Sequence, residues 1–276
     1  MIRRVKNKII KEIEKIKKIN RTKKYMLTPQ EYHDKLVELK DKYKGQRCFI
    51  LGNGPSLNKC DLKLLENEFS FAVNGIFYKT KEMGYKPTFY MVEDNHVVAD
   101  NLKAINNYKC EYKFFPYNYK NIISPDVTTI FLPMDSGFYR ENHPYFCVPR
   151  FSKDVPNEIF TGQSVTIMQL QMAYHLGFTD VYLIGMDFSY ALPESTKVEG
   201  CNYTSQEDDV NHFHPDYFGK GKKWHDPKLD RVLMNYEKCK ESFEEDGRKI
   251  YNATVGGKLE IFERKDFDKL FKVDHG

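Results

Sequence analysis

Arg47-Cys48-Phe49-Ile50-Leu51 runs directly into Gly52-Asn53-Gly54-Pro55-Ser56-Leu57. The first five residues have no polar/apolar alternation, so they read as a strand covered on both faces. The two glycines that follow let the backbone approach a ligand closely and offer N–H groups to an anion. A tight strand-to-helix turn is the other reading of the same residues. The loop is not a Walker A loop, because no Gly-Lys-Ser/Thr follows. Nor is it G-x-G-x-x-G, because Leu57 stands where the third glycine would be.

Four more short apolar runs lie downstream: Phe69–Asn74, Thr88–Val92, Thr129–Leu132 and Val181–Gly185. Ser164–Leu176 has helical spacing, with Val165, Met168, Met172 and Leu176 on one face. Leu229–Glu245 reads as a charged helix, Lys249–Tyr251 as a last strand and Asp266–Phe271 as a last helix. Strands that alternate with helices predict an α/β fold with a mainly parallel sheet. In such sheets ligands sit beyond the carboxyl ends of the strands, so the informative loops are those just after strands.

The 276 residues suit one large α/β domain, and 41% hydrophobic with 14% aromatic residues provide for a substantial core. No apolar run reaches 18 residues, and the N-terminus lacks the apolar stretch of a signal peptide. Six scattered cysteines with no C-x-x-C exclude a zinc ribbon and argue against a disulfide scaffold. A cytoplasmic location is the expectation.

The net charge of +4 is unevenly spread. Residues 1–24 hold eleven of the 43 Lys/Arg and two of the 39 Asp/Glu, which leaves 32 basic against 37 acidic side chains elsewhere. The body is therefore mildly acidic and does not suit nucleic acid. Val5, Ile9, Ile13 and Ile16 recur at helical spacing among the lysines, so residues 1–45 are expected to form a basic amphipathic helical extension ahead of a catalytic domain at 46–276. The extension suits peripheral docking on the anionic inner membrane face. A solvated helix or a homo-oligomer seam are the alternatives. Within it, Thr28-Pro29-Gln30-Glu31 has the pattern of a capping box opening a helix to about Tyr43.

The loops after the strands supply the candidate residues. They are Asn74-Gly75, Glu93-Asp94-Asn95-His96 and Gly185-Met186-Asp187-Phe188-Ser189. Thr161-Gly162-Gln163-Ser164 precedes a helix and is a second candidate anion site. For each residue singly, a cap or turn role accounts for it as well; their joint placement at strand ends points to one crevice. His212–His225 (HFHPDYFGKGKKWH) packs three histidines, the single tryptophan and three lysines into fourteen positions. With its glycine hinges it suits a substrate lid, about residues 190–226. His212, His214, Tyr217, Lys223 and Trp224 are its candidate substrate contacts. A histidine there suits general-base work, and His212-x-His214 as a metal pair is the alternative. His33, His96, His143, His175 and His275 have no supporting context. G-x-S-x-G, H-E-x-x-H and the kinase signatures are absent. The single D-x-D, Asp266-Phe267-Asp268, sits in a C-terminal amphipathic segment that suits a solvated face.

Over about residues 47–254 the chain resembles the bacterial sialyltransferases of glycosyltransferase family forty-two and the wider 6-hydroxymethylpterin diphosphokinase-like group. The resemblance rests on the Gly52–Leu57 loop, Asn74, the Thr161–Ser164 turn, and Leu176-Gly177-Phe178 leading to Gly185-Met186-Asp187-Phe188. It continues with His225 ahead of a helix carrying Asp230 and Glu237. It implies a Rossmann-like, single nucleotide-sugar-binding domain with a lid. It also implies donor contacts from Gly52, Asn53, Gly54, Asn74, Gly185, Asp187 and Phe188, with His225 as general base; Ser56, Asp94, Gly162, Ser164 and Ser189, in the same loops, are the further candidate donor contacts. The implied activity transfers an acidic sugar, sialic acid or a relative, from a CMP-activated donor to a cell-surface glycan or lipid-linked acceptor. No metal or other cofactor would be required. The sequence departs from the sialyltransferase pattern at Thr161-Gly162-Gln163-Ser164, at Ser189-Tyr190 and at Glu93-Asp94-Asn95. Two alternatives stay open: an ATP- and Mg²⁺-dependent pyrophosphokinase with Glu93, Asp94 and Asp187 as metal ligands, and a non-catalytic nucleotide- or membrane-binding module.

Overall fold

The computed structural model describes residues 28–272. The basic helix expected over residues 1–24, its membrane docking and His275 lie outside the described residues.

Eight strands form one parallel sheet. In chain order its first part is β1 (Arg47–Leu51), β2 (Ser70–Val73), β3 (Phe89–Met91), β4 (Tyr112–Pro116) and β5 (Thr129–Leu132). A two-residue parallel pair follows, β6 (Met134–Asp135) with β7 (Ile159–Phe160). The chain then returns to the other side of β1 as β8 (Asp180–Ile184), and after the lid strands β9 to β11 described below it completes the sheet with β12 (Lys249–Asn252) and β13 (Glu263–Arg264). The spatial order is β13-β12-β8-β1-β2-β3-β4-β5. Strand order therefore reverses at β1, and the crevice of such a sheet lies beyond the carboxyl ends of the strands at that point. This is the Rossmann-like α/β architecture, and the five sequence runs at 47–51, 69–74, 88–92, 129–132 and 181–185 lie on β1, β2, β3, β5 and β8.

Period-two alternation explains the apolar runs. Cys48, Ile50, Phe71, Phe89 and Val181 face one layer; Phe49, Leu51, Ala72, Tyr90 and Phe115 face the other. Helices α1 (Gln30–Leu39), α3 (Val165–His175) and α4 (Leu229–Glu244) cover the first face with Leu36, Leu39, Met168, Met172, Tyr236 and Phe243. Helix α2 (Asn95–Asn107) and the 3₁₀ turns at Pro55–Lys59 and Leu62–Leu65 cover the second with Val97, Val98, Ile105, Leu57, Leu62 and Leu65. Both faces are dry, so neither can be polar.

Several expectations need correction. No capping box forms: α1 begins at Gln30 after Pro29 with no side-chain cap, and it ends at Leu39 rather than near Tyr43. The boundary at residue 45 does not separate units within the described chain. Leu36, Leu39 and Tyr43 are buried in the main core, Tyr43 stacks on Phe178, and Asp41 N and Tyr43 N donate to His175 O and Leu176 O. Helix α3 has no single apolar face, because Val165 to Ala173 are all buried between the sheet, α4 and β7. Its glutamines serve the backbone: Gln171 bonds Phe160 N, Phe160 O and Ser152 N. Strand β4 and helix α2 have no counterpart among the runs read from the sequence. Lys113 inside β4 breaks the apolar run, and its ammonium is held 2.7 Å from Asp126. The run at 249–251 is followed by one more strand, and the terminal helix is a 3₁₀ turn, Asp268–Phe271.

The lid is not a loop throughout. Strands β9 (Lys197–Glu199), β10 (Asn202–Thr204) and β11 (Lys223–His225) form an antiparallel sheet of order β11-β10-β9. Trp224 is buried beneath it, with its indole N–H on Ser205 Oγ at 3.1 Å and Tyr203 packed edge-on at 4.7 Å.

Candidate functional site

A cleft of about 200 Å³ opens at the carboxyl ends of β1, β2, β3 and β8 and is roofed by the lid. Gly52, Asn53 and Gly54 line it from the loop after β1, and Asn74 from the loop after β2. Glu93 and Asp94 line it after β3, and Gly185 to Tyr190 after β8. Gln163, Ser164, Val165 and Thr166 bring the N-terminal end of α3. The lid adds Asn211, His212, Tyr217, Phe218, Trp224, His225 and Asp226, and α4 adds Leu229, Val232 and Tyr236. The predicted donor loops thus converge as their places at strand ends require.

The close approach of β1 and β8 explains the glycines. A Cβ on Gly52 would overlap the Gly185 carbonyl and stand 2.7 Å from Met186 Sδ. A Cβ on Gly54 would strike the Asp187 carboxylate and stand 2.8 Å from Gly185 O. Asp187 in turn accepts from Ser56 Oγ at 2.6 Å and from Ser56 N at 3.3 Å. The anion site expected of this loop is therefore already filled, by the protein's own carboxylate. Three cleft residues other than glycine, Asn74, Gln163 and Phe188, hold left-handed φ of 49°, 69° and 52°. Such conformations cost about 1–3 kcal/mol each and concentrate where a site is shaped against local preference.

Neutral polar groups line much of the cleft. Asn53 is buried; its Nδ2 donates to Val73 O and to the Tyr217 hydroxyl, 3.2 and 2.8 Å away, which leaves Oδ1 without a partner. The Asn74 amide is hydrogen-bonded to the same hydroxyl, and its Oδ1 is also unpartnered. Gln163 Oε1 is a third buried acceptor without a partner. Three open acceptors call for a ligand rich in hydroxyl or amino donors.

The strongest chemistry lies where the lid meets β3. Asp94 Oδ1 caps α2 by accepting from His96 N at 2.7 Å and Val97 N at 3.2 Å. Its Oδ2 stands 3.1 Å from Nδ1 of His225 at the end of β11. Burial works against the Asp94 anion, but the His225 hydrogen bond and charge and the two capping N–H groups outweigh it and hold the carboxyl below its ordinary range. The hydrogen bond to Asp94, opposed by desolvation, raises His225 above the usual imidazole value. With Nδ1 held on Asp94, Nε2 is the ring nitrogen left for a ligand. The His96 ring, expected to be without a role, stacks on His225 at 4.4 Å and bonds Asn202 Oδ1 of the lid at 3.2 Å.

The other predicted lid contacts divide. His212 is in the cleft, bonded to Asp209 at 2.7 Å and stacked on Tyr217 at 4.1 Å. His214 stacks instead on Tyr78, outside the cleft, so the pair does not present its rings together to one metal. Among the described residues no group of three His, Cys, Asp or Glu is placed to hold a metal ion. Lys223 is exposed and lies outside the lining, as do Ser56 and Gly162; Gly162 packs instead against Asn235. Gln163, Tyr190, Asn211, Phe218, Asp226 and Tyr236 were missed. Gln163 had a signal in the turn ahead of α3, and Tyr190, Asn211, Phe218 and Asp226 lie within the lid expected over about residues 190–226; Tyr236, on α4, had none. Among the described residues that line the cleft there is no Lys or Arg, against four carboxylates: Glu93, Asp94, Asp187 and Asp226. No helix among the described residues is long and apolar enough to cross a membrane.

Fold and cleft together define a Rossmann-like domain with a ligand site at its topological switch point. A sequence model described as 6-hydroxymethylpterin diphosphokinase MptE-like matches residues 23–192, and the chain belongs to that family. The matched span stops short of the strand that carries His225. No curated protein matches in a direct comparison. The structure is similar to the MAf glycosyltransferase of Magnetospirillum magneticum AMB-1, with 15% identity and a TM-score of 0.47 over 86% of this chain; the chain spans 38% of that protein's length. It is also similar to the sialyltransferase CstII of Campylobacter jejuni, solved with cytidine-5'-monophosphate. There the identity is 16% and the TM-score 0.44, over 80% of this chain and 85% of that one.

Proposed function

We propose that the chain is a glycosyltransferase that moves a sugar from a CMP-activated donor to an acceptor hydroxyl, with His225 as general base. One observation carries the reading: a carboxylate-backed imidazole stands at a nucleotide-type crevice whose described lining has no Lys or Arg. His225 Nε2 takes the proton of the acceptor hydroxyl as its oxygen bonds to the anomeric carbon. The bond from that carbon to the phosphate oxygen breaks, and its electron pair leaves with the nucleoside monophosphate. General-base help of this kind contributes about 10²–10⁴-fold.

The charge of the lining supports a lightly charged donor. A monophosphate leaving group needs only neutral hydroxyls, amides and the end of α3 that opens on the cleft. A free triphosphate would meet four carboxylates and no cation. The sugar end also finds no Lys or Arg, so the acidic sugar of the resemblance receives no support from these side chains. A glycan or lipid-linked acceptor, and residues 1–24 as its membrane-docking segment, belong to the same proposal.

The family description supports a second reading, pyrophosphoryl transfer from ATP to a hydroxymethyl group. The same imidazole would serve it. A divalent cation does not fit the carboxylates as they stand, since Asp94 is committed to His225 and α2, and Asp187 to Ser56.

Thermal denaturation with CMP, UDP, GDP and ATP, each with Mg²⁺ and with EDTA, tests both. A ligand at 100 times its Kd adds about 2.7 kcal/mol to the native state. Stabilisation by CMP that survives EDTA is expected. Stabilisation by ATP with Mg²⁺ alone would overturn the glycosyl reading in favour of the second. His225→Ala should retain CMP-dependent stabilisation and lose turnover.

A further inference from the structure

His212 is the second imidazole of the cleft lining, and the general-base step above leaves it unused. Its place is fixed twice over. The next residue, Phe213, is pinned to the glycine loop and the turn after it: its N–H donates to Asn53 O and its carbonyl accepts from Asn58 Nδ2, both at 2.9 Å. The His212 ring lies flat on Tyr217, 4.1 Å between centroids and 8° from parallel, and the Asn53 amide donates to the Tyr217 hydroxyl at 2.8 Å. His212 therefore stands at the glycine-loop end of the cleft. Its Nδ1 is 2.7 Å from Asp209 Oδ2, and the two side chains are only 8% and 3% exposed. The same carboxylate accepts from Asn211 N and Phe218 N, each at 2.8 Å. Burial works against the Asp209 anion, but the His212 hydrogen bond and charge and those two N–H groups outweigh it and hold the carboxyl below its ordinary range. Nδ1 is thus committed to the protein, whereas Nε2 has no hydrogen-bond partner among the described residues.

We propose that His212 is a further catalytic residue, whose Nε2–H hydrogen-bonds the phosphate of the donor and stabilises it as it leaves with the nucleoside. The proposal rests on the CMP-donor reading above. The glycine loop's own anion site is taken by Asp187, so a phosphate needs a donor from elsewhere. The described lining has no Lys or Arg, and of its two imidazoles His225 serves the acceptor hydroxyl. A ring held between Asp209 and a bound phosphate carries a proton on each nitrogen, Nδ1–H toward the carboxylate and Nε2–H toward a phosphate oxygen. That adds one cationic donor to the neutral groups and the end of α3. The proton stays on Nε2 throughout; the bond that breaks is the one from the anomeric carbon to the phosphate oxygen, as in the step above. A hydrogen bond between charged partners is about twice as strong as a neutral one, and it gains strength as charge builds on the leaving phosphate.

The measurement is the calorimetric Kd of CMP and of cytidine for the full chain, whose ratio isolates what the phosphate contributes. His212→Phe keeps a flat ring on Tyr217 and removes both nitrogens. The preference for CMP over cytidine should shrink about tenfold or more, the size of a hydrogen bond to a charged group, while the Kd of cytidine changes little. Turnover should fall with it. His212→Gln, whose side-chain amide can supply an N–H in place of Nε2–H, should recover part of the preference. Asp209→Asn is an independent variant. It leaves the ring and removes the charge behind it, so the preference should shrink in the same direction, by less. Equal affinities for CMP and cytidine in the parent, or an unchanged ratio in whichever variants fold, overturn the proposal. A parent that binds neither molecule overturns the CMP-donor reading itself, and this inference with it, so the two failures are distinct.

Discussion

Nδ1 of His225 stands 3.1 Å from Oδ2 of Asp94 across 131 positions of sequence. The imidazole belongs to the lid and the carboxylate to the body. The other oxygen of the same carboxylate starts helix α2. One side chain therefore orients the proposed base and caps a helix, and the two roles separate by substitution. Asp94→Asn keeps a good N-cap and removes the charge beside His225. Turnover should fall within the 10²–10⁴-fold range of a general base, with a small change in Tm. Asp94→Ala should lose a further ~1 kcal/mol of stability. Parent-level turnover in Asp94→Asn would remove the pair from the mechanism.

The same pair predicts a bell in pH. Asp94 is held low, so its contribution to stability is present above the ordinary carboxylate pKa and is lost as pH falls through the folded value. His225 is held high, so its contribution is present below the ordinary imidazole pKa and is lost as pH rises through the folded value. The coupling should be largest between about pH 4 and 6.5, where both ordinary values leave both groups charged. A double-mutant cycle of Asp94→Asn and His225→Ala, followed by denaturant unfolding from pH 3 to 9, measures it. A coupling energy flat across that range would contradict the ion pair.

The glycine loop makes a prediction about shape. Gly52 approaches a backbone carbonyl, whereas Gly54 approaches the end of the Asp187 side chain and, less closely, Gly185 O. Gly52→Ala should therefore prevent or severely impair folding. Gly54→Ala should fold less stably with Asp187 displaced from Ser56, and Gly54→Ala with Asp187→Ala should recover part of the lost Tm. Equal Tm losses in Gly52→Ala and Gly54→Ala would show that the carboxylate is not what Gly54 accommodates.

The buried lysine of β4 is a stability test away from the cleft. Lys113 is 1% exposed and bonds Asp126; burial works against the Asp126 anion, but Lys113, Thr128 and Thr129 outweigh it and pull the carboxyl below its usual range. Removing Asp126 strands a buried ammonium, which costs about 3 kcal/mol, the lower end for such pairs because Asp126 is 28% exposed. Lys113→Met should cost less than Asp126→Ala in denaturant unfolding. The opposite order would mean that Lys113 finds another acceptor.

How much was legible follows from range. β1, β2, β3, β5 and β8 were readable because a strand covered on both faces is apolar nearly throughout, and a few such residues suffice as a signal. The turn loops were readable because glycine, asparagine and aspartate at a strand end have few other uses. Strand β4 was hidden by Lys113, whose partner lies 13 residues on. Helix α2 was hidden because its cap, Asp94, read equally as a site residue. His96 read as featureless because its two partners, His225 and Asn202, lie more than a hundred residues away.

By itself the sequence determined the α/β class, the strand ends that face the crevice and the unusual chemistry of residues 212–225, because periodicity and local turn requirements are short-range properties. Only the tertiary structure decided that Asp187 fills the glycine loop, that Asp94 is the partner of His225, and that a cleft lined by four carboxylates has no Lys or Arg among its described residues. Each of those depends on parallel strands and a folded lid bringing distant segments into contact, and no local pattern encodes which distant segment arrives.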